Sequence, residues 1–317
     1  MFNCTQLDDL LELYYLSPLY ALEFCLGFPG NLIVVIGYVV CLQEWQSINI
    51  YLFNLAVSDL LFLSTLPRLS CLYANGQKET SPYACIINRY LLHVNLYSSI
   101  LFMVWVSVDR FLLIRHPTRN HFLLRPKVAM AIAGLSWLAV NIQVAPLIVL
   151  MSQDMQRANS SRCTDFASLS GGDTDVLGYS LGLTLTGYVL PLLGLCLSSY
   201  HIARLLKIQE GVLQRRTTSF KRPLRVVTAA ATMFLVLYSP YHVMRNVRIA
   251  SRQEWSGMEL CTRMYIEGLY ILTRPIAFLH SVINPVFYFL MGDQFRELLF
   301  AKLRELFRKA RRRGAAT

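Results

Sequence analysis

Seven apolar stretches, parted by short polar segments, run along the chain at roughly 16–41, 48–73, 86–114, 126–151, 176–206, 223–249 and 264–291. Each is at least as long as the about 20 helical residues that cross a hydrocarbon layer. Runs of that length and number do not belong to the core of a soluble protein. The pattern predicts an all-α fold, a seven-transmembrane helix bundle. The third stretch, Cys85 to Arg115, carries the clearest irregularity: within an apolar background stand Arg89, His93, Asn95, Asp109 and Arg110. Charge inside a spanning helix is costly and usually faces the bundle interior or a polar cavity. Polar groups near both ends and between them predict an outer site, an inner site and a helix joining the two.

The other stretches add polar and helix-bending positions in order. The first holds Gly27, Pro29, Gly30 and Asn31, an amide that needs a partner on a neighbouring helix; the second holds Asp59 near the membrane centre and Pro67, which predicts a kink. Trp137 and Pro146 mark the fourth and Pro191 the fifth; the sixth carries Phe234, Tyr238 and Pro240, then Arg245, Arg248 and Arg252. The seventh carries Arg274, His280, Asn284, Pro285 and Tyr288. After it, Phe295, Leu298, Leu299, Leu303 and Phe307 alternate with Arg296, Lys302, Arg304 and Arg308, which predicts a short amphipathic eighth helix on the inner membrane surface. No internal repeat divides the chain. Residues 1–317 read as one domain: an outer N-terminus over 1–15, a bundle over 16–291 and an amphipathic helix with a basic tail over 292–317.

Composition agrees: 55% of residues are hydrophobic and 15% charged, against about 25% charged in soluble domains. The net charge of +11 raises nucleic acid as a partner, but its distribution argues for a membrane instead. Lysine and arginine cluster at Arg115–Lys127, Arg204–Arg225 and Arg296–Arg313, while most acids, including Asp8, Asp9, Glu12, Glu79, Asp165 and Asp175, lie in the alternate segments. The positive-inside rule places the N-terminus outside and the C-terminus in the cytosol. No basic segment followed by a short apolar core precedes the first run, which is expected to act as its own signal. The sequons at Asn3 and Asn159 fall on the outer side, where glycosylation is expected. Cys25, Cys41, Cys71 and Cys196 read as small apolar residues. Cys4, Cys85, Cys163 and Cys261 lie outside, where disulfides persist, and four cysteines allow three pairings.

Cations gather in the outer half. Arg89 and His93 are four apart and share a helix face. Tyr241, Arg245, Arg248 and Arg252 share another, and Tyr270 and Arg274 a third. Guanidinium forks bind carboxylates bidentately, so opposed arginines on three helices suit a ligand with two carboxylates a few carbons apart. Tyr20, Tyr73 and Tyr270 are candidate hydroxyl donors, and Asp165 is a candidate partner for the arginines of the empty site. Arg252 and Arg263 read as snorkelling to headgroups, Arg248 fits either reading, and Arg68 is ambiguous.

Gly30-Asn31-Leu32, Leu55-Ala56-Val57-Ser58-Asp59, Asp109-Arg110-Phe111, Trp137, Pro191 and Asn284-Pro285-Val286-Phe287-Tyr288, in order and one per stretch, resemble the rhodopsin-like (class A) G-protein-coupled receptors. Phe111 replaces the family's tyrosine, and Leu237-Tyr238-Ser239-Pro240 replaces its Cys-Trp-x-Pro, with Tyr238 at the tryptophan position. The segment Pro240 to Arg252, with Asn88-Arg89-Tyr90 and Thr273-Arg274-Pro275, is more closely similar to the purinergic-receptor-like branch. The resemblance implies a receptor for a small dicarboxylate of succinate type, with 2-oxoglutarate or a nucleotide-like anion as the alternative. It also implies disulfides Cys85–Cys163 and Cys4–Cys261, and a sodium site at Asp59, Asn95, Ser99 and Asn284 that His280 would disturb. Activation and coupling would run through Asp109, Arg110, Tyr238, Pro240 and Tyr288, to heterotrimeric G proteins of Gi or Gq type. Arrestin and membrane lipids are further implied partners.

Three other functions compete. A retinal protein needs a lysine in the seventh stretch for its Schiff base, and that stretch has none. A dicarboxylate transporter is expected to show inverted repeats and paired broken helices, and neither is visible. No nucleophile–base pair or metal-ligand spacing converges in the outer half, so the chain does not read as an enzyme.

Overall fold

The computed structural model describes residues 4–77, 79–116, 118, 121–157, 165–169, 175–213, 218–253 and 256–291, with 297, 301, 304 and 308. Ten α-helices lie among them, of which α1 (Leu7–Leu11) and a π-helical turn (Glu12–Leu16) stand ahead of the first span. The first span is α2 (Ser17–Cys41) and the second is α3 (Ser47–Leu63) with α4 (Leu66–Ala74). The third is α5 (Pro82–Arg115), the fourth α6 (Pro126–Arg157), and the fifth α7 (Val176–Thr184) with α8 (Leu190–Leu213). The sixth is α9 (Thr218–Ser251) and the seventh α10 (Leu260–Met291). No strand occurs among the described residues. The seven spans are long and apolar enough to cross a membrane.

Two breaks trace to proline. The second span opens at Ser64–Thr65, just ahead of Pro67, where the ring would clash with the carbonyl four residues earlier. The fifth span widens into a π-turn at Leu185–Val189, directly before Pro191, which relieves the same clash without ending the helix. The third helix starts on Ser81, whose hydroxyl accepts from the Ala84 N–H, and Pro82 follows at the first helical position.

The third span is the most enclosed. It packs against the second, fourth and fifth, while the sixth packs on the seventh and the seventh closes on the first. Leu22, Leu26, Ile33, Ile36, Val39 and Val40 of the first span point outward and are exposed, as a lipid-facing side requires. Asn31 finds its neighbour: its amide donates to the Gly27 carbonyl at 2.9 Å and the Ser281 carbonyl of the seventh span at 2.8 Å. Trp137 donates to Asn54 at 2.8 Å and ties the fourth span to the second.

Cys4 and Cys261 form a disulfide that fastens the N-terminal segment to the start of the seventh span. Cys85 is disulfide-bonded as well; Cys163, expected opposite it, lies outside the described residues, as do Asn3, Asn159 and the Tyr288 side chain. Cys25, Cys41, Cys71 and Cys196 are free. Residues 297, 301, 304 and 308 are helical and exposed; the rest of the expected eighth helix lies outside the described residues.

Candidate functional site

The outer half holds four buried arginines, and the structure sorts them. Arg89 and Arg274 converge on Asp165, with Nε 3.8 Å from Oδ1 and Nη1 3.4 Å from Oδ2 respectively. Asp165 sits in the loop between the fourth and fifth spans, caps the turn Phe166–Ser168, and accepts from the Phe166 N–H at 2.8 Å and from the Tyr270 hydroxyl at 3.0 Å. Burial alone would raise its carboxyl; the guanidiniums of Arg89, Arg274 and Arg248 outweigh burial and hold it well below the usual carboxylate range. The loop acid thus pairs with the arginines of the site.

Arg245 is fully buried and differs from the other two. It donates to the Tyr97 hydroxyl at 2.7 Å, to Ser180 Oγ at 3.1 Å and to Thr184 Oγ1 at 2.9 Å. Its guanidinium also lies over the rings of Phe166 and Tyr241, 5.5 and 5.6 Å from their centroids. No carboxylate pairs with it among the described residues. Gly187 makes this possible, because a side chain there would run into the Tyr97 ring. The expectation of three cations around one point is therefore refined: two share a carboxylate, and the third rests on neutral hydroxyls of the third and fifth spans.

His93 is buried, with Nδ1 2.8 Å from the Arg89 carbonyl and Nε2 3.4 Å from the Tyr241 hydroxyl. Nδ1 must therefore carry the proton, since a carbonyl only accepts. Tyr241 stacks near Tyr270, with ring centroids 5.8 Å apart, and Tyr20 near Tyr73 at 6.3 Å. Arg89 Nε and Nη1, Arg274 Nη2 and the Tyr20 hydroxyl have no hydrogen-bond partner among the described residues.

Sequence reasoning left two arginines open. Arg248 is buried and pairs with Glu267, so it does not snorkel. Arg68 is exposed and pairs in a fork with Glu79 at 2.6 and 2.9 Å. Arg252 is half-exposed, with its Nη2 3.8 Å from Glu267. One buried acid was missed. Glu23, a turn below Tyr20, has both carboxyl oxygens without hydrogen-bond partners among the described residues. The rule that singles out Arg89 applies equally to a carboxyl within an apolar run.

Midway across the membrane, Asp59 Oδ1 accepts from Asn95 Nδ2 at 2.9 Å, Ser281 Oγ at 2.8 Å and Ser99 Oγ at 3.5 Å, and Oδ2 accepts from Asn284 Nδ2 at 2.8 Å. His280 Nε2 lies 3.7 Å from Oδ1. Sodium asks for oxygen ligands. Asp59, Ser99, Ser281 and Asn284 offer oxygens of that kind, beside two amide N–H groups and an imidazole edge, and Asn284 Oδ1 has no hydrogen-bond partner among the described residues. They form a hydrogen-bonded knot of the second, third and seventh spans, to which Ser281, unforeseen in the sequence, contributes. Above it Tyr238 is fully buried, its ring 4.7 Å from Phe234 and 5.1 Å from His280; Pro240 lies half a turn further along the same helix.

At the inner end Asp109 accepts a short hydrogen bond from Ser47 and lies 3.6 Å from Arg110 Nη2. The carboxylate of the Asp-Arg-Phe sequence thus holds its own arginine and the start of the second span.

Residues 30–288 match the model of the 7 transmembrane receptor (rhodopsin family). The chain is 46% identical over 307 residues to "Succinate receptor 1" of Rattus norvegicus, covering 96% of this chain and 95% of that protein. The corresponding protein of Mus musculus is 44% identical over 306 residues, with the same shares. A purinoceptor of Homo sapiens is 31% identical over 322 residues, covering 99% of this chain and 83% of that protein. These relatives are signalling receptors and not enzymes. The chain is a multi-pass membrane protein and belongs to the rhodopsin family of seven-transmembrane, G-protein-coupled receptors.

Proposed function

We propose that the protein is a receptor for a small dicarboxylate, succinate foremost, and signals through heterotrimeric G proteins of Gi or Gq type. One observation carries the reading. Three buried guanidiniums, Arg89, Arg245 and Arg274, are accompanied by one paired carboxylate, Asp165, which leaves a surplus of two positive charges. Buried charge without a counter-charge is costly, and a dianion supplies both missing charges at once. Tyr241 lies within electrostatic reach of Arg245, Arg274 and Asp165 and links the two halves of the site. The similarity to succinate receptors of rat and mouse supports the same ligand.

In this reading one ligand carboxylate takes the unused donors of Arg89 and Arg274 and loosens their hold on Asp165. The other reaches Arg245. The third, sixth and seventh spans are drawn together through these three residues. Tyr241 against His93, and Tyr238 against His280, pass the change to the Asp59 knot and then to Arg110. The N-terminus is outside, as the loop charges require, and the basic inner loops meet the G protein, arrestin and acidic lipid.

Cells expressing the chain, read out by calcium and cyclic nucleotide, test this against a panel of succinate, 2-oxoglutarate and nucleotides. Succinate is expected to be the most potent. Normal surface expression with a response to nucleotides alone would overturn the reading.

A further inference from the structure

Arg245 carries five N–H bonds, and its neighbours accept four of them. Nε donates to Ser180 Oγ at 3.1 Å, and Nη2 to the Ser180 carbonyl at 3.2 Å and to Thr184 Oγ1 at 2.9 Å. One Nη1 proton goes to the Tyr97 hydroxyl at 2.7 Å. The second Nη1 proton has no acceptor among the described residues. The three hydroxyls around the guanidinium differ in where their own protons go. Ser180 Oγ donates to Asn246 Oδ1 at 2.6 Å, and Thr184 Oγ1 donates to the Ser180 carbonyl at 2.9 Å. Asn246 Nδ2 donates to Thr184 Oγ1 at 2.9 Å and completes the set. Ser180 and Thr184 therefore turn only lone pairs towards Arg245. Tyr97 is the exception: its oxygen accepts from Arg245, and its proton finds no acceptor among the described residues. Tyr97 is 2% exposed, and a buried donor without an acceptor costs free energy until something accepts from it. Two unused protons thus stand on adjacent atoms, Tyr97 Oη and Arg245 Nη1.

We propose that Tyr97 is a ligand-contacting residue, and that its O–H and the remaining Arg245 N–H form a mixed fork for one carboxylate of the ligand. The proposal rests on the dicarboxylate reading for the identity of the ligand and adds to it the residue that completes the inner end of the site. Paired donors on neighbouring atoms meet the two oxygens of a carboxylate, as the guanidinium fork does elsewhere. Here one donor comes from the third span and the other from the sixth, so a bound carboxylate ties these two spans together at Arg245. A primary amide in the same place has a single carbonyl oxygen and turns N–H groups towards donors, so the fork selects against it. Ser180, Thr184 and Asn246 are positioning residues: they occupy the other edge of the guanidinium and leave Nη1 for the ligand.

The test is the affinity of succinate and of 2-oxoglutarate for the full chain in cell membranes, in wild type, Tyr97→Phe and Thr184→Val. Tyr97→Phe keeps the ring and releases the Nη1 proton that the hydroxyl had taken. A hydroxyl that merely competed for Arg245 would leave binding unchanged or tighter on removal. The fork predicts the opposite sign, a loss of about tenfold or more, because a donor to a charged carboxylate is removed. Thr184→Val also takes an acceptor from Arg245 but no donor from the ligand, and its loss is expected to be clearly smaller. Gly187→Ala is a second variant at the same place. Its added carbon would lie 2.4 Å from Tyr97 Cδ1, which pushes the ring aside and leaves the hydroxyl chemistry intact. It is expected to weaken binding in the wild-type background and to add little to Tyr97→Phe. Undiminished or tighter succinate binding in Tyr97→Phe, or equal losses in Tyr97→Phe and Thr184→Val, would overturn the fork and leave the dicarboxylate reading standing. Binding of 2-oxoglutarate but not succinate to wild type, with the same loss in Tyr97→Phe, would support the fork and count against succinate.

Discussion

The outer site and the Asp59 knot are built from the same materials, buried charge and hydroxyls on facing helices, and they are satisfied to opposite degrees. Asp59 is met by four donors on its two oxygens. Arg89 and Arg274 keep three buried N–H-bearing nitrogens without acceptors among the described residues, two on Arg89 and one on Arg274. A filled network of hydrogen bonds fixes helix positions. An unfilled one is poised for a ligand, because each buried unpaired donor costs free energy until something accepts from it. Under the proposed reading, recognition belongs to the outer half and transmission to the middle.

The largest effects that would break this contrast come from the arginines. Arg245→Ala and Arg274→Ala should each lower succinate potency by more than tenfold, since a hydrogen bond to a charged group contributes roughly 1.5–3 kcal/mol and about 1.4 kcal/mol is tenfold. Replacement by lysine should restore potency only in part, because an ammonium lacks the planar fork. Full response in both alanine variants at normal expression would place the site elsewhere.

Asp165→Ala should act in the opposite sense on the empty receptor. Removing one partner of a buried pair costs about 3–5 kcal/mol, so the ligand-free protein should melt lower. Succinate should then stabilise it more than it stabilises wild type, because the ligand replaces the lost carboxylate. Equal ligand-induced shifts in the two proteins would show that Asp165 and ligand do not compete for Arg89 and Arg274.

Cys4→Ser and Cys261→Ser should give similar, milder losses of stability, about 2–4 kcal/mol, and the double variant should be no worse than either single. Additive losses would argue against the pairing. The smallest effect belongs to Arg252→Ala, a half-exposed side chain, which should leave potency nearly unchanged in the same dose–response assay.

The helices and the depth of the polar residues were legible in the sequence, because span length and helical spacing are local properties. Arg89 above His93, and Tyr270 above Arg274, needed only the four-residue repeat. The partner assignments were not local. Arg245 rests on Tyr97, Ser180 and Thr184, which reach it from two other spans and look like ordinary residues of an apolar run. Arg248 was ambiguous until Glu267, on the next span, was seen beside it. At Asp59 the motif marks the polar cluster, but no spacing shows which atom of each asparagine faces the carboxylate, or that Ser281 joins them. Glu23 is a different case, since a carboxyl within the first apolar run is itself a legible signal.

The proposed dicarboxylate function requires the outer site to recognise two negative charges on one small molecule. Binding of succinate and of its mono-amide to the purified receptor, in parallel with Arg274→Ala, tests it most directly. The two ligands share size and chain length and differ by one charge. The mono-amide is predicted to bind at least tenfold more weakly to wild type, and the gap between the two ligands to shrink in Arg274→Ala if the lost carboxylate is the one held there, or to persist there and shrink in Arg245→Ala if it is the other. Equal affinity of succinate and its mono-amide for the wild-type receptor would show that the second charge is not recognised.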